Sequence, residues 1–83
     1  GTKVLILRMR SVPAIDETAM NTLRNIQRKL KAEGITMIFS HALEQPRRMM
    51  EKNKFMKEVG EENFCINIDA ALTRASKIIA EEN

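Results

Sequence analysis

The amino-acid sequence predicts an α/β fold, a small parallel sheet flanked by helices in the order βαβαβα. Three observations favour it: short apolar runs rich in branched residues, longer stretches with apolar residues at helical spacing, and a regular alternation between the two. Such alternation is typical of parallel strands joined by right-handed helical crossovers. The 83 residues contain no linker, repeat or low-complexity segment, so they are expected to form a single domain.

The first strand is predicted over Lys3 to Met9, a continuous apolar run of the kind found in strands that are covered on both faces. Pro13 ends it, because proline has no amide hydrogen to donate to a strand ladder. Asp16 is a favourable N-cap for the first helix, and Gly34 is suited to the left-handed residue that follows its C-terminus. The apolar face of this helix is predicted to consist of Met20, Leu23, Ile26 and Leu30.

The second strand is predicted over Ile35 to Ser40, between a glycine and a polar histidine. Pro46 is expected in the first turn of a short second helix, where its missing donor costs nothing. The apolar stripe of that helix is predicted to run on to Phe55 and to include Leu43, Met49 and Met50.

The third strand, Phe64 to Ile66, is expected to be only three or four residues long. Asn67 is predicted to cap the last helix, and Asp69 in its first turn complements the positive end of the helix dipole. The apolar face of the last helix is predicted to consist of Ile68, Leu72, Ala75 and Ile79.

A sheet of three strands leaves one edge of the apolar Lys3 to Met9 strand with unpaired backbone groups. We therefore expect this edge to be covered. Either a partner chain pairs with it, or residues upstream of Gly1 in the natural protein supply further strands.

Composition excludes several classes of function. The 14 Lys and Arg exceed the 11 Asp and Glu by 14 − 11 = 3 charges, which is too little to indicate nucleic-acid binding. With only 3 aromatic residues, all Phe, a base-stacking platform is also disfavoured. The longest apolar run, Val4 to Leu7, is far shorter than a membrane span, and no signal segment opens the chain, so the chain as given is expected to be neither secreted nor membrane-spanning.

Ligands of parallel α/β sheets bind beyond the carboxyl ends of the strands, which here are the segments Val12 to Thr18, Ser40 to Pro46 and Ile66 to Asp69. The first segment is a poor phosphate site, because Asp16 and Glu17 already place negative charge at the helix N-terminus and no glycine-rich loop is present.

Cys65 and His41 are the only candidates for nucleophilic or metal chemistry, and two residues make neither a metal centre nor a complete dyad. A single cysteine cannot form an intramolecular disulfide, which suits a reducing compartment. We expect Cys65 to be a small core residue and His41 a loop residue, with a Cys–His hydrolase as a remote alternative. The basic residues around the second helix are interleaved with glutamates, which favours an ordinary solvated face over a membrane-binding one.

Four segments in order resemble the STAS domain, the module shared by SulP-family anion transporters and bacterial anti-sigma-factor antagonists. They are Val4 to Leu23, Leu30 to Met37, Glu44 to Phe55 and Asn67 to Leu72. The segments Val-Pro-Ala-Ile-Asp and Asn-Ile-Asp-Ala-Ala-Leu are more similar to the transporter branch. The resemblance implies that the chain is a partial STAS domain, residues 1–83, because family members usually begin with additional strands and a helix.

The chain departs from the antagonist branch at the turn into its first helix. There the antagonists have Asp-Ser-Ser/Thr-Gly with a phosphorylated serine, whereas this chain has Asp16-Glu17-Thr18-Ala19. Glu17 cannot be phosphorylated, and Thr18 matches the second hydroxyl position. We therefore expect a fixed negative charge at this turn rather than a phosphorylation switch.

The resemblance implies a non-catalytic regulatory and protein-interaction domain on the cytoplasmic face of the inner membrane, attached to the transmembrane transport domain of a SulP-type sulfate or other anion transporter. Its contact surface is expected at Asp16, Glu17 and Thr18, with Met20 and Asn21 as neighbours. A cytoplasmic regulatory protein and a second copy of the chain are further implied partners; no nucleic acid is expected. No cofactor is expected, and nucleotide binding is implied by the family alone. The alternative is a free-standing anti-sigma-factor antagonist that binds an anti-sigma kinase.

Overall fold

The computed structural model describes residues 1–82 and has four helices and three strands. In chain order these are β1 (Val4–Arg8), α1 (Glu17–Ala32), β2 (Thr36–Ser40), α2 (Glu44–Lys52), α3 (Phe55–Val59), β3 (Phe64–Cys65) and α4 (Ile68–Glu82). A single 3-10 turn, Glu61–Asn63, precedes β3. None of the helices in the part of the chain that the structure describes is both long and apolar enough to cross a membrane.

The three strands form one parallel sheet in the order β1-β2-β3. The register pairs Val4 with Thr36 and Arg8 with Ser40, and β3 continues the sheet where Phe39 pairs with Phe64. The α/β prediction is confirmed. β1 is an edge strand, as the sequence indicated, and Leu5 on it is 41% exposed.

The sheet separates two apolar clusters, because successive residues of a strand point to opposite faces. Met37 and Phe39 of β2 belong to the larger cluster, which packs against α1, α2 and α3. Ile38 belongs to the smaller cluster, which packs against α4. Phe39 also stacks on Phe64, with 4.8 Å between the ring centroids, and meets Phe55 edge to face at 5.6 Å.

The predicted helix ends are confirmed by their hydrogen bonds. The Ala70 amide donates to Asn67 Oδ1 at 2.8 Å, so Asn67 caps α4. At the end of α1, Gly34 adopts a positive φ of 77°. The Gly34 amide donates to the Lys31 carbonyl and the Ile35 amide to the Leu30 carbonyl, which is the Schellman arrangement that favours glycine.

The prediction that one apolar stripe continues to Phe55 is wrong, since two helices replace one. Asn53 ends α2, where its Nδ2 donates to the Met49 carbonyl at 2.8 Å. Lys54 then takes a left-handed conformation with φ 59° and redirects the chain into α3. Phe55 is nevertheless fully buried in the larger cluster.

The predicted apolar face of α4 is also partly wrong. Its buried residues are Ala71, Ala75 and Ile78, whereas Leu72 is 52% and Ile79 43% exposed. Only Ala75 and the half-buried Ile68 were assigned to the correct face. Ala71 and Ala75 share the smaller cluster with Ile38 of β2, and their small side chains allow the helix to pack closely on the sheet. The third strand has only two residues, shorter than expected.

Candidate functional site

The loop between β1 and α1 leads into the residues that the sequence analysis singled out for partner contact. Asp16 is exposed, and its Oδ1 accepts a hydrogen bond from the Ala19 amide at 2.8 Å, so it caps α1 as predicted. Glu17 and Thr18 follow in the first turn, and both are exposed. Asn21 is exposed one turn later. The structure therefore places Asp16, Glu17, Thr18 and Asn21 together at one exposed helix end, which we call the α1 N-terminal surface.

Met20 is set apart from these four residues. It is 0% exposed and lies in the larger apolar cluster under the sheet. A side chain in that position stabilises the packing of α1 and offers no atom to a partner. Met20 is thus a support for the α1 N-terminal surface and not part of it.

The loop that precedes the α1 N-terminal surface is hydrogen-bonded to a side chain of α2. The Ile15 amide donates to Gln45 Oε1 at 2.8 Å, and Gln45 Nε2 donates to the Ile15 carbonyl at 3.0 Å. The Val12 amide donates to the Met9 carbonyl at 3.0 Å, which closes a turn directly after β1. The entry into α1 is therefore fixed on both sides.

A second candidate site is a cavity of about 230 Å³ at the carboxyl ends of β1 and β2. We call it the strand-end cavity; its lining residues are Arg8, Arg10, Ser40, His41, Asn67 and Ile68. The sequence predicts ligand sites in the segments after β2 and before α4, and the structure brings those two segments together here. Both lie at the sheet edge where the topology of parallel α/β folds places ligands.

The two arginines of the strand-end cavity were missed. Only the segment after β1 was considered, although Arg8 is the last residue of the strand and pairs with Ser40 in the parallel register. The alternation of strand residues indicates where Arg8 lies. Val4 and Ile6 pack against the smaller apolar cluster, on the α4 side of the sheet, and Arg8, two residues after Ile6, is on the same face.

No hydrogen bond joins the side chains of Cys65 and His41 in the described residues 1–82. They are backbone neighbours across β2 and β3, since the His41 amide donates to the Cys65 carbonyl at 2.9 Å. The Cys65 side chain is half-buried and packs against the smaller apolar cluster, so it lies at the margin of the core in which it was expected. Burial raises the pKa of the Cys65 thiol, and the nearby Arg74 guanidinium lowers it by less. A raised pKa disfavours the thiolate that a nucleophile needs. No group of three metal-binding side chains occurs within residues 1–82.

The charged face of α2 is a solvated one, as expected. Arg47 pairs with Glu51 at 3.2 Å and Arg48 with Glu44 at 2.8 Å, and all four side chains are more than half exposed. Exposed i,i+4 pairs of this kind contribute only about 0.3–0.5 kcal/mol each. The alternating charges leave no single-sign patch on this helix.

The sequence profile of the STAS domain family matches residues 1–75. The chain belongs to the STAS domain family. The α/β topology, the capped first helix and the order of the four resembling segments agree with that membership.

Two solved structures are similar to this STAS domain over nearly all of its length. A sulfate transporter family protein from Wolinella succinogenes is 33% identical, with a TM-score of 0.89 over 94% of this chain. The STAS domain of a SulP transporter from Vibrio cholerae is 30% identical, with a TM-score of 0.87 over 95% of this chain. The chain spans 64% and 62% of the lengths of those two structures. No functionally curated protein matches it.

Proposed function

We propose that this STAS domain is a non-catalytic regulatory and protein-interaction module of a SulP-type anion transporter and lies on the cytoplasmic face of the membrane. The observation that carries the proposal is the similarity to the Vibrio cholerae SulP STAS domain, at 30% identity across 95% of the chain. Transport itself would belong to membrane helices outside residues 1–83. The raised pKa of Cys65 further disfavours a hydrolytic role.

The location can be tested on the natural protein with an antibody raised against the 83-residue chain. Cells are separated into soluble and membrane fractions, and the membranes are washed with carbonate and then extracted with detergent. We expect a band far larger than 9.5 kDa that is released only by detergent. A soluble band close to that mass would contradict the proposal and favour the anti-sigma-factor antagonist.

The α1 N-terminal surface is the proposed contact site for the transport domain or a cytoplasmic regulatory protein. Asp16 and Glu17 give it fixed negative charge beside the positive end of the α1 dipole. Glu17 stands where antagonists carry the phosphorylated serine, so contact would not be switched at that residue. In the full-length transporter, Glu17→Lys should change the rate of sulfate uptake, whereas Lys29→Glu, a charge reversal at the far end of α1, should not.

Covalent modification of this surface provides a second test. The purified domain is incubated with anti-sigma kinases and ATP, and its mass is measured. We expect no added phosphate. A phosphate at Thr18 would overturn the proposal that the turn carries no switch.

Self-association through β1 is part of the same proposal. β1 is an edge strand of the three-stranded sheet, and its Leu5 is 41% exposed, so a second copy or further chain of the natural protein has apolar surface and backbone groups to bind. Size-exclusion chromatography with light scattering should detect dimers or larger species of the 83-residue chain. A stable monomer at high concentration would count against self-association.

A further inference from the structure

We infer that the strand-end cavity binds a small tetrahedral oxyanion, sulfate or phosphate, held by Arg8, Arg10 and the first turn of α4. Both arginines are exposed at the cavity mouth, and neither forms an ion pair with another residue of 1–82. Guanidinium groups bind oxyanions with two parallel hydrogen bonds, so two unpaired arginines on one cavity favour an anion over a cation.

The sheet register directs Arg8 toward α4. Its partner in the parallel ladder is Ser40, and the preceding residues on the same face, Val4 and Ile6, pack in the α4-side cluster. Ile68, the first residue of α4, lines the cavity beside Arg8. The guanidinium and the start of the helix therefore approach one volume from different sides.

The α4 N-terminus supplies donors to the same volume. α4 is 15 residues long, so its dipole places partial positive charge at Ile68. Asn67 Oδ1 accepts the hydrogen bond of the Ala70 amide. The amides of Ile68 and Asp69, in the same first turn, have no acceptor within the helix. Asp69 adds negative charge to this turn, but its exposed side chain does not line the cavity. Two free backbone donors at a helix N-terminus are suited to an anion.

Ser40 is an independent indication of a ligand. It is 2% exposed and lines the cavity, and no hydrogen bond joins its hydroxyl to another residue in the described chain. Every side-chain polar atom of residues 1–82 that is shut off from solvent does have a partner. The Ser40 hydroxyl therefore opens into the cavity, where an oxyanion would accept its hydrogen.

The size of the cavity selects among anions. At about 230 Å³ it is smaller than the pockets of roughly 300–1,000 Å³ that enclose organic ligands. His41 lines it together with Ser40. No glycine-rich loop is present to admit a chain of phosphates. These features favour a free inorganic oxyanion over a nucleotide.

The test is an NMR titration of the ¹⁵N-labelled 83-residue chain with sodium sulfate, then phosphate, with sodium chloride adjusted to constant ionic strength. We expect saturable shifts of the Ile68 and Asp69 amides and of the Arg8 and Arg10 side-chain resonances. Shifts that do not saturate, or that spread over all basic residues, would overturn the site.

Variants locate the binding. Arg8→Ala and Arg10→Ala should each weaken sulfate binding about tenfold, the value of one charge-assisted hydrogen bond. Ser40→Ala should weaken it less, since a neutral donor is lost. Lys29→Ala, which removes one exposed charge from the end of α1, is the matched control and should leave affinity unchanged. An equal loss in the control would show that net charge alone governs binding.

A third experiment distinguishes a free inorganic anion from the phosphate group of a nucleotide. AMP is titrated in place of sulfate under the same conditions. Binding of AMP tighter than that of sulfate, with shifts reaching beyond the cavity, would overturn the assignment to a free oxyanion. Sulfate binding is independent of the transporter proposal, because it depends only on residues of this chain.

Discussion

The side-chain amide of Gln45 pairs with both backbone groups of Ile15, 30 residues earlier in the chain. It accepts from the Ile15 amide at 2.8 Å and donates to the Ile15 carbonyl at 3.0 Å. The side-chain amide of Gln45 thus makes the same two kinds of hydrogen bond to Ile15 that the backbone of a neighbouring strand would make. The loop before Asp16 is thereby tied to α2, which fixes where α1 begins.

Gln45→Ala should release this loop. The loss of two hydrogen bonds at a half-exposed position should lower the free energy of unfolding by about 1 kcal/mol in urea denaturation. Hydrogen exchange of the Ile15 amide should accelerate, because its acceptor is gone. Gln45→Glu is the matched variant: it keeps an acceptor but loses the donor, so exchange should stay slower than in Gln45→Ala. Equal exchange rates in all three proteins would contradict the role of Gln45.

The Asp16 side chain both caps α1 and carries a negative charge, and two substitutions distinguish these roles. Asp16→Ala removes the acceptor for the Ala19 amide and should cost about 1 kcal/mol of stability. Asp16→Asn retains a side-chain oxygen and should cost much less. If partner contact depends on charge, both variants should weaken it equally. A stability loss in Asp16→Asn as large as in Asp16→Ala would argue against the cap.

The local features of this fold were readable from the sequence, because they are decided by residues close together in the chain. Asp16 and Asn67 cap helices through amides three residues away, and Gly34 terminates α1 through its own backbone freedom. The exposed part of the α1 N-terminal surface follows from the same local rules.

Features decided by distant residues were not readable. Lys54 adopts a left-handed conformation that its type does not favour, and the burial of Phe55 and Met56 directly after it holds the chain there. Arg8 acquires its neighbours only when β1 pairs with β2 and α4 crosses the sheet. Met20 is a different case, because helical spacing alone predicts that it lies on the core face of α1, where the structure has it.

The neighbours Ile78 and Ile79 test which face of α4 is buried. Ile78 is 7% exposed and Ile79 43% exposed. Ile78→Ala should therefore cost about 2–4 kcal/mol, and Ile79→Ala less than about 1 kcal/mol. If Ile78→Ala does not fold, Ile78→Val should still cost about 1 kcal/mol, more than Ile79→Val. If denaturation shows that Ile79→Ala lowers the free energy of unfolding more than Ile78→Ala does, the apolar face predicted from the sequence would be the correct one.

Glu58 links α3 to α1 through two arginines. Arg24 Nε donates to its carboxylate at 3.1 Å and Arg28 Nε at 2.7 Å. Partial burial raises the pKa of Glu58, but the hydrogen bonds from Arg28 and Arg24 outweigh it, so the pKa lies below its ordinary value of 4.5. The resulting stability is complete above that value and is lost as the pH falls through the lower, folded-state pKa.

Glu58→Gln should consequently destabilise the domain at neutral pH, by up to about 1 kcal/mol for this partly exposed group. The difference from the unmodified chain should vanish in strong acid, where both side chains are neutral. Urea denaturation at about pH 7 and at a series of successively lower pH values follows this difference until it disappears. Glu61→Gln, at an exposed glutamate, is the control and should change stability little at either pH. A constant difference across the pH range would exclude the ion pairs as its cause.

Cys65 is the single cysteine of the chain, so thiol labelling reports on it alone. Because burial raises its pKa above the ordinary value of 9.0, a smaller fraction is thiolate at any given pH in the folded domain than in the unfolded chain. Iodoacetamide should therefore label the native domain more slowly than the urea-unfolded chain, with a rate that rises only at higher pH. Arg74→Met should slow labelling further, since the guanidinium lowers the pKa. Faster labelling of the native domain than of the unfolded chain would mean an activated thiol and would reopen the hydrolase alternative.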